Sequence, residues 1–399
     1  MNAFKIWGLI LLPPLIILLA FCPSVYCGEW STVSPPSVSS AWQLYDANFT
    51  SSGEGWAVGY DNTNHAGVLL HYSGGVWISV APPVSSAWQL NSVHFTSAAE
   101  GWAAGYDYTN HAGVLLYYSG GAWSAVSPPA VSSFWQLNSV YFTSSGEGWA
   151  VGHDEANGTG VLLHCSGGIW SMVPVPPVGF PFVSSYWGIN SVYFTSSGEG
   201  WAVGYDYTNY TGVLLHYSGG VWTTVPPPFV SSAWQLNGVQ FTSSGEGWAV
   251  GYDYTNHSGM LLHYSGGVWS TVATPSVSTA WRLNSVNFTS AGEGWAAGAD
   301  DANLTGVLLH YSGGTWSRAN PPSINMNKRL NSVYFTAPGE GWAVGSDYSN
   351  VIGVLLHYST APPPPSTGAN TNLILTFAFM FISSGAFLIR RKSIPAGAR

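Results

Sequence analysis

The sequence predicts an all-β chain: a seven-bladed β-propeller closed by an N-terminal strand, with a signal peptide and a C-terminal transmembrane helix. Three observations carry this. The stretch GEGWAVGY, first met at residues 53–60, recurs seven times, with its tryptophan at Trp56, Trp102, Trp149, Trp201, Trp248, Trp295 and Trp342, in steps of 46, 47, 52, 47, 47 and 47 residues. Each repeat reads as four short strands with no helical period. The two ends of the array are complementary, because the first piece after the leader supplies what the last copy lacks.

The copy at residues 234–275 shows the four strands. LNGVQFT (236–242) alternates apolar and polar residues, as a half-buried strand does. SSGEG turns the chain, and WAVGY (248–252) is a second strand. DYTNHSG is a loop of turn formers. MLLHYS (260–265) is a third strand, a glycine pair supplies the positive φ of a tight turn, and VWSTV (268–272) is a fourth. A connector rich in Pro and Ser leads on. We label the strands A to D. GEWSTV (28–33) matches strand D, and the seventh copy ends at LLHYS (355–359) without one. Strand D tryptophans Trp30, Trp77, Trp123, Trp170, Trp222, Trp269 and Trp316 then number seven for seven GW motifs, which requires that the N-terminal strand complete the last sheet and cover its open edge.

Residues 1–27 carry one lysine before an apolar run and read as a signal peptide. The propeller spans 28–359, and 360–372 is a Pro-rich, extended stalk. Residues 373–389 are apolar or small and span about 25 Å as a helix, enough for a short membrane crossing. The tail 390–399 opens with Arg390, Arg391 and Lys392, which favour the cytoplasmic side. The expected location is the cell surface, with one membrane span and an extracellular propeller. The C-terminal segment also resembles a Gram-positive-type sorting signal, with Pro364 where that motif has Leu; a plain membrane anchor is the expectation.

Only 7% of residues are charged, against roughly 25% in an ordinary soluble domain. Between residues 28 and 365 the basic residues are Arg282, Arg318, Lys328 and Arg329, against all 18 carboxylates, a net of −14. Phosphate-based nucleic-acid binding needs clustered Lys and Arg, and is excluded. Cys165 is the lone cysteine after the leader and has no internal disulfide partner.

Strand direction alternates, so B–C loops and D–A connectors share one rim, and the tight A–B and C–D turns share the other. Long loops on a rigid scaffold suit binding, which places the expected face on the first rim. Trp42, Trp88, Trp135, Trp187, Trp234 and Trp281 fall in the connectors there, with Lys328 in the seventh copy. Their rings could stack on sugars, beside Asp61, Asp107, Asp206 and Asp253 at the loop starts; the competing expectation is rings tucked over the blade edge and turn-forming aspartates. The glutamates Glu54 to Glu340 are expected to bond local turn amides. Within a blade, Glu and Asp lie about 20 Å apart along strand B, too far for the 5–9.5 Å or so of a glycosidase pair. Strand C histidines such as His71 are expected to be structural. Asn157, Asn209, Asn256 and Asn303 form glycosylation sequences in the B–C loops. No metal site and no cofactor are expected.

The GEGWAVG and LLHYSGGVW pattern resembles WAVG-type propellers, including the photosystem II stability and assembly factor-like family, and distantly the Asp-box (BNR) repeats of sialidases. Residues 73–77, SGGVW, keep only a degenerate Asp-box, and three arginines do not make the sialidase cluster. The expectation is a membrane-anchored binding or adhesion module for a glycan or a surface protein. The alternative is a scaffold or assembly factor for a membrane complex, and hydrolysis comes last.

Overall fold

The computed structural model describes residues 28–360, apart from 84–86, 145, 180–182, 197 and 323–326. The expected leader, span and tail, and the stalk beyond Thr360, lie outside the described residues. The described residues form 28 strands in seven antiparallel sheets of four.

In the fifth blade strand A is Trp234–Ser243, B is Glu246–Asp253, C is Ser258–Ser265 and D is Val268–Val272, hydrogen-bonded in that order. Strand A starts two residues before the alternation alone indicated. Trp234 pairs with Asp253 across the ladder, so the buried set Trp234, Leu236 runs on without interruption. The glycine of WAVG has a steric cause: a Cβ on Gly251 would lie 1.9 Å from the Gln235 carbonyl oxygen of strand A.

Strand A carries a bulge between Leu236 and Gly238, which leaves Asn237 out of the ladder. Its amide donates instead to Leu283 O of the next blade at 2.7 Å. Asn91, Asn138, Asn190, Asn284 and Asn331 do the same at 2.7–2.8 Å, forming a belt of side-chain bonds around the inner strands.

The core lies between the blades. Each GW tryptophan meets the strand D tryptophan of the following blade edge-to-face, with centroids 5.3–5.5 Å apart at 78–86°. Each such pair contributes about 0.5–1.5 kcal/mol beyond its area burial. The junctions are equivalent around the whole circle, because Trp30 serves Trp295 as Trp316 serves Trp248.

Closure follows the expectation. Residues 29–33 pair antiparallel with the last strand, Glu29 with Ser359, Trp30 with Tyr358 and Val33 with Leu355. The sheet order is D-C-B-A, with D from the N-terminus.

Candidate binding site at the channel mouth

The six connector tryptophans are not displayed on loops. Trp42, Trp88, Trp135, Trp187, Trp234 and Trp281 open strand A and are 2–7% exposed. Five of the rings lie on a glycine at the start of strand C in the preceding blade. A Cβ on Gly353, Gly113, Gly160, Gly212 or Gly259 would come within 2.2–2.4 Å of Trp42, Trp135, Trp187, Trp234 or Trp281. Trp88 donates its indole N–H to Asp107 at 3.2 Å. A large apolar ring gains more from covering a neighbouring blade than from water, so these faces are not presented to a ligand.

The aspartates are also committed inward. Asp61, Asp107, Asp206 and Asp253 are 1–7% exposed. Asp253 accepts from the Thr255 and Asn256 backbone N–H groups at 2.9 and 3.0 Å, from Asn256 Nδ2 at 2.7 Å and from Ser231 Oγ at 2.8 Å. The carboxylate therefore clips loop to connector. Burial pushes the Asp61 and Asp107 carboxyls up, but these donors outweigh it and hold both below the ordinary value. The loop-forming reading of the aspartates is the one the geometry supports.

The A–B glutamates, expected at turn amides, reach across to strand C with their carboxylates. Glu54, Glu147, Glu199, Glu246, Glu293 and Glu340 bond the strand C imidazoles of His71, His164, His216, His263, His310 and His357. In the second blade the Tyr117 hydroxyl takes the histidine's place on Glu100 at 3.2 Å. Each imidazole lies against a GW tryptophan, as His216 does on Trp201 at 4.3 Å. The histidines are structural, as expected.

What faces the mouth of the central channel was not singled out from the sequence. The residue after each loop aspartate reads Asn62, Tyr108, Glu155, Tyr207, Tyr254, Asp301 and Tyr348, and the second residue of strand A reads Gln43, Gln89, Gln136, Gly188, Gln235, Arg282 and Arg329. Tyr108, Tyr207, Tyr254 and Tyr348 are 41–43% exposed. Tyr254 donates its hydroxyl to Gln235 Oε1 at 2.7 Å, Gln235 Nε2 donates to Asn237 Oδ1 at 2.7 Å, and Asn237 is a member of the inter-blade belt. Tyr108, Gln89 and Asn91 repeat this relay at 2.6 and 2.5 Å. The loop tyrosines also meet neighbouring rings, Tyr106 with Tyr108 at 4.8 Å and Tyr252 with Tyr254 at 4.7 Å. These rings are thus fixed from below by hydrogen bonds and from the side by aromatic contact.

Charges at the mouth are paired locally. Arg282 and Arg329 both bond Asp301. Glu155 bonds the Tyr186 hydroxyl at 2.5 Å and His153 at 2.8 Å, and the Tyr186 bond leads in holding its carboxyl low. Deeper in, Tyr45 replaces the belt asparagine and bonds Gln43. Asp46 beside it accepts from Val93 N at 3.0 Å and Ser332 Oγ at 2.8 Å, yet burial keeps its carboxyl above the ordinary value. His94 lies tilted against Tyr141 with centroids 4.3 Å apart, and Tyr141 meets Tyr193 at 4.9 Å, so aromatic rings line this level of the channel. Among the described residues no group of three or more His, Cys, Asp or Glu could hold a metal.

Fold and site together define a closed, seven-bladed propeller with an aromatic mouth. No protein-family model and no curated protein matches the chain. Among solved structures, YCF48 from Cyanidioschyzon merolae is similar, with a TM-score of 0.58 at 18% identity over 83% of this chain and 99% of that one. At that identity the likeness is one of fold alone, and it agrees with the propeller resemblance of the repeats.

Proposed function

We propose that this chain is a non-enzymatic binding module of the cell surface whose channel mouth recognises a neutral, polyhydroxylated ligand, a glycan. The observation that carries the reading is the tyrosine–glutamine–asparagine relay at Tyr108 and Tyr254, which ties exposed rings to the rigid belt. Rings held in this way lose little freedom on binding and offer flat faces to sugar C–H groups. Paired charges and amide side chains around them suit hydroxyl recognition rather than a strongly charged partner. Glu29 and Ser359 pair on the tight-turn rim, so both ends of the ring lie opposite the mouth.

A glycan array probed with the full chain in detergent tests this. Binding to a restricted set of neutral glycans supports it. A blank array, with a membrane protein complex co-purifying from solubilised cells, would replace it by the second reading, a scaffold or assembly factor for that complex.

A further inference from the structure

Six Asn-X-Thr/Ser sequences lie in the ring, and their surroundings divide them into two sets. Asn48 and Asn287 belong to the inner strands and are 6% and 9% exposed. Their Oδ1 atoms accept from the Phe95 and Phe335 backbone N–H groups of the next blade at 3.0 and 2.9 Å. A closed ring has no space for a sugar there. Asn157, Asn209, Asn256 and Asn303 occupy the B–C loops of four consecutive blades, the third to the sixth. At the equivalent place the seventh, first and second blades read Asn350-Val-Ile, Asn64-His-Ala and Asn110-His-Ala, without the required hydroxyl residue.

We infer that Asn157, Asn209, Asn256 and Asn303 are N-glycosylated while their B–C loops are open, after the inner strands have packed into the ring, and that the glycans flank one side of the mouth. In the folded ring each Nδ2 donates to the aspartate three residues earlier, at 2.7, 2.8, 2.7 and 2.9 Å. An amide nitrogen carries two hydrogens, so one can be replaced while the other keeps this bond. The new bond joins Nδ2 to the anomeric carbon of an oligosaccharide. The bond broken is the one between that carbon and a phosphate oxygen of its lipid-pyrophosphate carrier, which leaves with the electron pair, while the amide proton passes to base; nothing is oxidised or reduced. Because the folded loop directs Nδ2 at a buried carboxylate, transfer precedes closure of the loop. Sugars on blades three to six leave approach to the mouth open over the seventh, first and second blades, past Tyr348 and Tyr108. The inference requires export of the chain, and its test separates the two.

The full chain is translated with membranes that carry an oligosaccharyl transferase and its lipid-linked donor, and protease protection is read beside mass. Four mass steps, removed by an amidase that cleaves sugar from Asn, are expected in the protected chain. Thr159→Ala, Thr211→Ala, Ser258→Ala and Thr305→Ala should each remove one step, whereas Thr50→Ala and Thr289→Ala remove none. Purified folded chain offered to the same membranes should gain none. A protected chain without these steps, or steps that depend on Thr50 or Thr289, overturns the assignment. Modification of the folded chain to the same extent overturns the stated order. An unprotected chain overturns the inference at the export step, and the protease result identifies that cause.

Discussion

Replacing Tyr108 and Tyr254 together by alanine removes two pinned rings from the mouth and leaves the blades intact. Each ring is about two-fifths exposed and is held by one hydroxyl bond and by aromatic contact, with Tyr106 and Tyr60 for Tyr108 and with Tyr252 for Tyr254. Loss of one aromatic contact with a ligand costs about 0.5–1.5 kcal/mol. The pair therefore costs about 1–3 kcal/mol, a drop in affinity of roughly 5- to 150-fold. Stability should change by no more than about 1 kcal/mol, since neither ring belongs to an inter-blade core. Tyr108→Phe with Tyr254→Phe keeps both faces and frees the glutamines, so each site loses only a neutral hydrogen bond, about 0.5–1.5 kcal/mol. Titration calorimetry with a glycan that scores on the array, run beside thermal unfolding, gives both numbers. Wild-type affinity in the alanine pair, with wild-type stability, would refute the assignment of the mouth.

Three further results are expected. Trp201→Ala should destabilise by about 3–5 kcal/mol in denaturant unfolding, because its buried ring stacks on Phe241 and His216 and meets Trp269 edge-on. Burial in the channel wall holds His94 down at about 4, whereas an unfolded histidine titrates near about 6.5. The unfolded chain then binds a proton that the folded chain does not, so stability falls as pH drops from about 6.5 to 4. His94→Asn, the residue found at this place in blades one and six, should flatten that part of a stability profile measured by urea unfolding. Asp107, held below the ordinary carboxylate range, contributes stability that is present above about pH 3.9 and lost as pH falls through its folded value. The stability gap between wild type and Asp107→Asn should therefore narrow in acid, and a gap independent of pH would contradict the proposed clip.

The fold was legible because every junction between blades makes the same demand. A tryptophan that must meet Phe and Trp of its neighbour recurs at a fixed interval, and the interval alone discloses the circle. The tucked position of Trp234 was one of the two expectations, but its place inside strand A was not legible, because the alternation marks a start two residues later and the true start is set by pairing with Asp253 in the neighbouring strand. The partner of each A–B glutamate lies seventeen residues on, and only the exchange of histidine for Tyr117 in the second blade hints at it. The mouth left a different trace, which the reading of the repeats passed over. Positions that hold blades together repeat, while positions turned to a ligand are not bound to do so. The run Asn62, Tyr108, Glu155, Tyr207, Tyr254, Asp301, Tyr348 varies immediately after an aspartate that never varies.

The site exists only if residues 29–33 complete the seventh blade, so that loops from both ends of the chain converge on one mouth. Cysteines introduced by Glu29→Cys and Ser359→Cys face each other in the observed register, within the roughly 4.5–5.5 Å of cross-strand neighbours. With Cys22 and Cys27 replaced by serine, Cys165 should not compete, since it is buried and its thiol is pushed up to about 11. Mild oxidation should yield a monomer with residues 29 and 359 joined by one disulfide in peptide mass spectrometry. Absence of that link, or its formation only between two chains, would contradict the closed ring.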